Sequence, residues 1–288
     1  SFSLLQKRLL EDETRTLIYL GIALTSGSKA CIEEIMHKAK LQHITKDKII
    51  DVFTISLHAA STRVLSNAEI IFDYLKKNKL NLKFILNTHH HADHIGGNLE
   101  LKKEFNSKIL GFEKDKERIP GIDIVLKNRQ IWNFENSDVL IEHVPGHTSG
   151  HIFYYFKNEE AAFTGDTLFS FGCGRLFEGS YLEMVNSLKK IKSLPSKTKI
   201  FCGHEYTMSN LKFCIEIDKN NAELKKKYNQ ISNNIKNKLP SVPSDLSDEM
   251  NLNIFLKFDD YKFKKQLGFQ DLNEVDFFKK IRDLKDNF

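Results

Sequence analysis

Thr88-His89-His90-His91-Ala92-Asp93-His94 places five imidazole or carboxylate groups in seven consecutive positions, directly after a short apolar stretch at 82–86. In extended backbone, residues two apart point the same way, so His89 and His91 can share one metal ion while His90 faces away behind them. Asp93 and His94 fall where the chain turns into the next helix, and can face a second ion. Three further groups repeat the context: His147 in Pro-Gly-His-Thr, Asp166 in Thr-Gly-Asp-Thr and His204 in Cys-Gly-His-Glu. Each comes just past a strand-like stretch and beside a glycine that permits a tight turn. Imidazole and carboxylate donors without thiolates suit zinc, iron or manganese at a reactive site, not a structural zinc site. His37, His43, His58, His143 and His151 lack this context and read as ordinary polar residues.

Such groups act together only if a frame carries them to one place. Strand signals at 82–86, 109–111, 138–144, 152–156, 161–164 and 199–202 alternate with helical spacing at 68–77, 98–105 and 180–191. That alternation predicts an α/β domain with a buried sheet, whose strand ends bring the four ligand segments to one edge. After Tyr206 strand signals nearly stop, and helical stretches at 210–219, 222–236 and 271–286 predict a helical C-terminal domain. The first 66 residues are less legible. An apolar run at 16–24, a turn at Ser26-Gly27-Ser28 and then Lys29-Ala30-Cys31-Ile32 fit a hairpin, followed by a helix at 33–40.

With 288 residues, 41% hydrophobic and 28% charged, the composition is that of a soluble globular protein. No stretch approaches the roughly 20 apolar residues of a membrane span. The 43 basic and 38 acidic residues are spread along the chain, so the net charge of +5 forms no concentrated block. Neither nucleic acid nor membrane is expected as a partner, whereas a small anionic ligand fits. Cys31, Cys173, Cys202 and Cys214 show no CxxC spacing and read as free thiols in a reducing compartment. The expected location is the cytoplasm, or an organelle matrix if a transit peptide preceded Ser1; a monomer is expected.

THHHADH followed by PGHT, TGDT and CGHEYT resembles the metallo-β-lactamase superfamily, whose signature is HxHxDH, and within it the glyoxalase II (hydroxyacylglutathione hydrolase) family. The resemblance runs from about Asn67 to the C-terminus. It implies an αββα sandwich over 1–205, with 1–66 atypical and 35–66 a possible insertion, then a helical glutathione-binding domain over 206–288. It also implies two divalent metal ions per chain, zinc first and iron or manganese as alternatives. His89, His91 and His147 would hold one ion, Asp93, His94 and His204 the other, with Asp166 bridging. The activity implied is hydrolysis of S-(2-hydroxyacyl)glutathione, S-D-lactoylglutathione giving D-lactate, with Asp166 and Asp93 as catalytic carboxylates.

Gly172-Cys173-Gly174-Arg175-Leu176-Phe177-Glu178-Gly179 resembles the family's loop after the bridging aspartate, which implies that Arg175 and Phe177 hold glutathione. Phe177 stands where the family often has tyrosine. Tyr206 matches a glutathione-binding tyrosine, and the closing segment 281–288 places Arg282 and Lys285 at two basic contacts for the glycyl carboxylate. At helical spacing i and i+3 these two share one face. The N-terminus departs from the family, which opens with strands. Two rivals stand beside this reading: another superfamily enzyme, a persulfide dioxygenase or nuclease, and a non-catalytic metal-binding protein. The helical tail speaks against the dioxygenase, the dispersed charge against the nuclease, and the full ligand set against the third.

Overall fold

The computed structural model describes residues 74–134 and 136–288, together with 29–45 and positions 13, 16, 17 and 48. The chain divides into two compact units, Ser1–Leu82 and Lys83–Phe288. In the first, helix α1 spans Lys29–Leu41. The strand expected at Lys29-Ala30-Cys31-Ile32 is thus the first turn of a helix, and its hairpin partner near 18–20 lies outside the described residues. The physical reason is visible in the spacing: Ile32, Ile35 and Ala39 recur at three and four residues, a helical period that begins before residue 33. Residues 74–77 are helical, as expected for the end of the 68–77 stretch; its beginning is outside the described residues.

The second unit holds two facing sheets. The smaller contains β1 (Phe84–Leu86), β2 (Lys108–Phe112) and β3 (Ile122–Leu126), all parallel. The larger has the order β11-β10-β7-β6-β5-β4, built from β4 (Ile131–Phe134), β5 (Ser137–His143), β6 (Ile152–Phe156), β7 (Ala161–Gly165), β10 (Lys199–Cys202) and β11 (Ser244–Asp245). β6 reads Ile-Phe-Tyr-Tyr-Phe, apolar throughout, because both its faces are covered. Ile152 and Tyr154 point into the core between the sheets, with Leu110, Phe112, Leu126, Val139 and Ile141. Phe153 and Tyr155 point the other way, into a core built with the helices.

Two short helices follow the ligand-rich run, α2 (Ala92–Ile95) and α3 (Asn98–Phe105), and α3 packs on β2. Helix α4 (Tyr181–Lys192) starts at a capping box, in which the Ser180 side chain accepts from Glu183 N–H and the Glu183 carboxylate accepts from Ser180 N–H. Its Met184, Val185, Leu188 and Ile191 cover the outer face of the larger sheet. The C-terminal region contributes α5 (Thr207–Ile217), α6 (Ala222–Lys236), α7 (Leu246–Leu252), α8 (Tyr261–Gln266) and α9 (Glu274–Asp286). It is not wholly helical, since β11 pairs antiparallel with β10 and extends the larger sheet. Leu211, Phe255, Phe278 and Ile281 share one apolar cluster with Val144, Phe153 and Leu188. The core therefore runs continuously across the boundary expected near 205.

A two-stranded hairpin, β8 (Leu168–Phe169) and β9 (Gly172–Cys173), connects the two halves of this unit. Its tip residue Phe171 has φ of 57°, left-handed backbone that a bulky side chain rarely adopts. The C-terminal helices hold it there. Phe171 N–H donates to the Glu249 carboxylate at 2.9 and 3.2 Å, Asn210 Nδ2 donates to Ser170 O at 3.1 Å, and Asn253 Nδ2 donates to Gly172 O at 3.1 Å.

Candidate metal centre

The four ligand segments leave strand ends of both sheets. His89, His91, Asp93 and His94 follow β1 of the smaller sheet, while His147, Asp166 and His204 follow β5, β7 and β10 of the larger. Convergence on the edge of a single sheet is corrected accordingly: the ligands meet where two sheets end together. Cross-links between the sheets set this meeting point. Ile152 N–H of β6 donates to Thr88 O at 2.9 Å, and the Tyr154 hydroxyl donates to Asn87 O at 2.8 Å. Two glycines make room. Gly165 has φ of 50° beside Asp166, and a Cβ on Gly203 would stand 2.4 Å from Asp166 Oδ1 and 2.8 Å from His94 Cε1.

Three overlapping sets of donor atoms result: His89, His91 and His147; His89, His94 and Asp166; and Asp93, His94 and His204, each set with all its atoms within 4.8 Å of one another. Asp166 lies between the outer sets. Its Oδ1 is 3.3 Å from His94 Nε2, and its Oδ2 is 3.5 Å from His147 Nε2 and 3.3 Å from His204 Nε2. His91 Nδ1 and His147 Nε2 face each other at 3.0 Å, as do His94 and His204 Nε2 at 3.3 Å. Buried His89 Nε2 and Asp166 Oδ1 enter no hydrogen bond, although such atoms are normally satisfied. Unsatisfied lone pairs converging with other donors are what a cation requires, so the residues present fit a metal centre.

The surroundings prepare the donors. His147 Nδ1 donates to Arg175 O at 2.7 Å, which fixes the proton on Nδ1 and leaves the Nε2 lone pair facing the cluster. Burial lowers the pKa of His89, His91 and His147, helped at His89 and His91 by neighbouring imidazoles, so the three rings stay neutral and able to donate. Burial would raise Asp166, but the close contacts with His204 and His94 outweigh it and hold the carboxylate well below its usual range. Asp166 and Asp93 in turn raise His204 to about 10. Those same carboxylates would hold a cation where that proton sits.

His90 joins none of the sets; its Nδ1 approaches Asp115 at 3.3 Å and its Nε2 approaches Glu178 at 3.4 Å. His151, read from sequence as an ordinary polar residue, is fully buried directly behind the cluster, stacked on His89 with centroids 4.6 Å apart. No spacing rule marks it, because its role comes from contact with β7. Arg118, Asp115 and Glu178 also escaped the sequence reading, Glu178 lying 60 residues from Arg118.

The residues expected to hold glutathione divide into two groups. Phe177 is 64% exposed, with its ring edge-on to His91 and His147 at 5.6 and 5.2 Å, so it is no core residue. Exposed Tyr206 stacks on His204 at 5.1 Å on the far side of the cluster. Arg175 pairs through Nε with Asp286 at 3.3 Å. Lys285 Nζ lies over the rings of Phe213 and Phe288, and burial, then Arg282, lower its pKa to about 8. Arg282 differs. Only 4% exposed, it donates to Cys173 O and Asp286 Oδ1, each at 3.0 Å, and so braces β9 from within. Sharing a helical face with Lys285 did not give it the same surroundings.

Comparison with known proteins agrees with this architecture. Residues 63–204 match the family model described as the metallo-β-lactamase superfamily, and 205–288 match the hydroxyacylglutathione hydrolase C-terminus. A protein of Pelagibacter ubique named hydroxyacylglutathione hydrolase is 50% identical over 223 residues, covering 77% of this chain and 87% of that one. One of the same name from Methylococcus capsulatus is 43% identical, covering 72% and 81%. Among solved structures, ETHE1 from Myxococcus xanthus shares the fold at a TM-score of 0.53 and 18% identity, covering 76% of this chain and 77% of that one. The BLEG-1 B3 metallo-β-lactamase does so at 0.50 and 24%, covering 66% and 84%. Among the described residues, no helix is long and apolar enough to cross a membrane. With its ligand pattern, paired sheets and helical C-terminal region all accounted for, the chain belongs to the hydroxyacylglutathione hydrolase family of the metallo-β-lactamase superfamily.

Proposed function

We propose that the chain hydrolyses S-(2-hydroxyacyl)glutathione, S-D-lactoylglutathione among its substrates, to glutathione and a 2-hydroxy acid. Two divalent ions, zinc first and iron or manganese as alternatives, would be held by His89, His91 and His147 and by Asp93, His94 and His204, with Asp166 reaching both. The observation that carries this reading is the Asp166 carboxylate, ionised and placed between two donor sets. Bound there, the ions supply Lewis-acid activation of a water and of the thioester carbonyl.

The chain's own residues do the positioning. Asp166 would accept a hydrogen bond from a water placed between the two sets, while Asp93 keeps His204 in place through its 3.2 Å contact. Phe177 and Tyr206 form apolar walls on opposite sides of the cluster, and Arg175 and Lys285 offer positive charge to the peptide carboxylates. Arg282 supports them by bracing β9 and Asp286. Glutathione leaves as a thiolate of pKa roughly 8.5, so the site needs no strong general acid. The names of the relatives support the substrate class. The reading includes a monomer with no nucleic-acid partner, acting in the cytoplasm.

The test is thiol release from S-D-lactoylglutathione by the zinc-loaded chain, against thioesters that lack glutathione, with metal content measured in parallel. A fully loaded protein that releases no thiol from the glutathione thioester rejects the reading.

A further inference from the structure

Outside the ligand cluster, one polar network ties three loops together. Asp115, fully buried at the end of a 3-10 turn (Glu113–Asp115), accepts from Arg118 Nη2 and approaches His90 Nδ1 at 3.3 Å. Arg118 Nη1 donates to both oxygens of Glu178, at 2.8 and 3.0 Å, and Nη2 donates to Ser149 Oγ at 3.0 Å. Glu178 Oε2 also accepts from Ser149 N–H and Oγ–H, each at 2.8 Å. The segment after Ser149 presses against the buried carboxylate: a Cβ on Gly150 would stand 2.0 Å from Asp115 Oδ1.

Glu178 ends the loop that carries Arg175 and Phe177, and that loop is stitched to the His147 segment. Phe177 N–H donates to His147 O and Gly179 N–H to Gly146 O, both at 3.1 Å, and His147 Nδ1 donates to Arg175 O at 2.7 Å. Two carboxylates meeting one guanidinium, with backbone and hydroxyl donors satisfying the rest, form a rigid charge-assisted unit. Burial would raise Glu178, but the hydrogen bond from Ser149 N–H, then those from Arg118, outweigh it and keep the carboxylate ionised, down at about 2.

We propose that Glu178, anchored by Arg118 and Ser149, is a positioning residue that latches the 174–179 loop so that Arg175 and Phe177 face the substrate. The inference rests on the glutathione-thioesterase reading for its substrate, and on the loop hydrogen bonds alone for its mechanics. Neither Glu178 nor Arg118 belongs to a donor set, so the first effect of breaking their contact falls on the loop and on binding.

The test compares wild type with Glu178→Gln, whose amide nitrogen opposes Arg118 and whose charge is gone. KM for S-D-lactoylglutathione should rise about tenfold with kcat within about twofold, while a thioester lacking glutathione is turned over as by wild type. Amide exchange at Phe177 and Gly179 should quicken without a matching fall in the thermal midpoint. Arg118→Gln combined with Glu178→Gln should raise KM no further than Glu178→Gln alone, although it also leaves buried Asp115 without its guanidinium and should lower the thermal midpoint. Should Glu178→Gln fail to fold, Ser149→Ala removes only the hydroxyl that links Arg118 and Glu178 and should move KM and exchange in the same direction. Unchanged KM and exchange, equal losses on both thioesters, or multiplying losses in the double variant would overturn the latch. Faster exchange at the loop in a protein whose wild type releases no thiol would retain the latch and discard the thioesterase reading.

Discussion

The backbone N–H of Asp166 donates to Nε2 of His151, 3.1 Å away. An Nε2 that accepts must leave the proton on Nδ1, and that atom reaches Thr167 Oγ1 at 3.2 Å. Burial, then the neighbouring imidazoles, lower His151 to about 3, so the ring stays neutral and this tautomer persists. One histidine outside every donor set thereby fixes the backbone of Asp166 and the face of His89.

His151→Leu keeps most of the side-chain volume but strands the Asp166 N–H. A buried unpaired donor costs about 1–3 kcal/mol, so the urea midpoint should fall, and metal content should fall with it. Wild-type metal retention at a lowered midpoint would assign His151 to stability alone.

Asp166→Asn replaces an ionised carboxylate by a neutral amide. The variant should lose at least one ion per chain and turnover by on the order of a hundredfold or more. A full load of two ions with near-normal turnover would remove Asp166 from its proposed place.

Lys285 offers its charge only while protonated. Its pKa is lowered to about 8 by burial and by Arg282, so the ammonium is present below that pH and lost above it. KM for S-D-lactoylglutathione should therefore climb as pH passes 8. Lys285→Met should raise KM about tenfold at pH 7 and flatten that climb. A climb that persists unchanged in the variant would mean that another group titrates.

Phe177→Tyr adds a hydroxyl at a position where the ring is 64% exposed, so the group remains in water and thermal stability should hold. A neutral hydrogen bond contributes about 0.5–1.5 kcal/mol net, which limits any gain in KM to about tenfold. A fall in the thermal midpoint would show that the ring is more tightly packed than its exposure indicates.

Glu249 predicts a pH dependence of stability instead of activity. Burial raises its pKa to about 7, above the roughly 4.3 of a free glutamate. The raised pKa contributes stability that is fully present below the unfolded value and is lost as pH rises through 7. Relative to Glu249→Gln, wild type should lose on the order of 3 kcal/mol of unfolding free energy between pH 4 and 7. Parallel pH profiles for the two proteins would contradict this.

What the sequence made legible followed local rules. The 88–94 run stood out by its density of metal-type side chains and the other three segments by combining a strand end, a glycine and one such side chain, and β6 and β10 were bounded at Ile152–Phe156 and Lys199–Cys202 because apolar runs ended at turns. β3 and β4 passed unnoticed: Asp123 and Asn133 interrupt their apolar runs. β11 is two residues long and exists only because β10 offers it an edge. Arg282 shows the same limit at the site. Helical spacing put it beside Lys285, but the Cys173 carbonyl, 109 residues away, decided where its guanidinium went.

The grip of Asn210, Glu249 and Asn253 on the Ser170-Phe171-Gly172 tip bears on how such a chain could be recombined. A chimera joined at residue 205 would pair one parent's β8–β9 hairpin with the other parent's clasp. Unless the incoming helices present a carboxylate and two amides in the same places, Phe171 loses the contacts that hold its left-handed backbone. The hairpin could then relax, and with it the loop leading to Arg175, while the donor atoms supplied by β1, β5 and β10 stayed where they are. Recombination at this point would yield proteins that still load metal yet discriminate poorly among thioesters, and crossovers that travel together with the 166–179 segment would escape that loss.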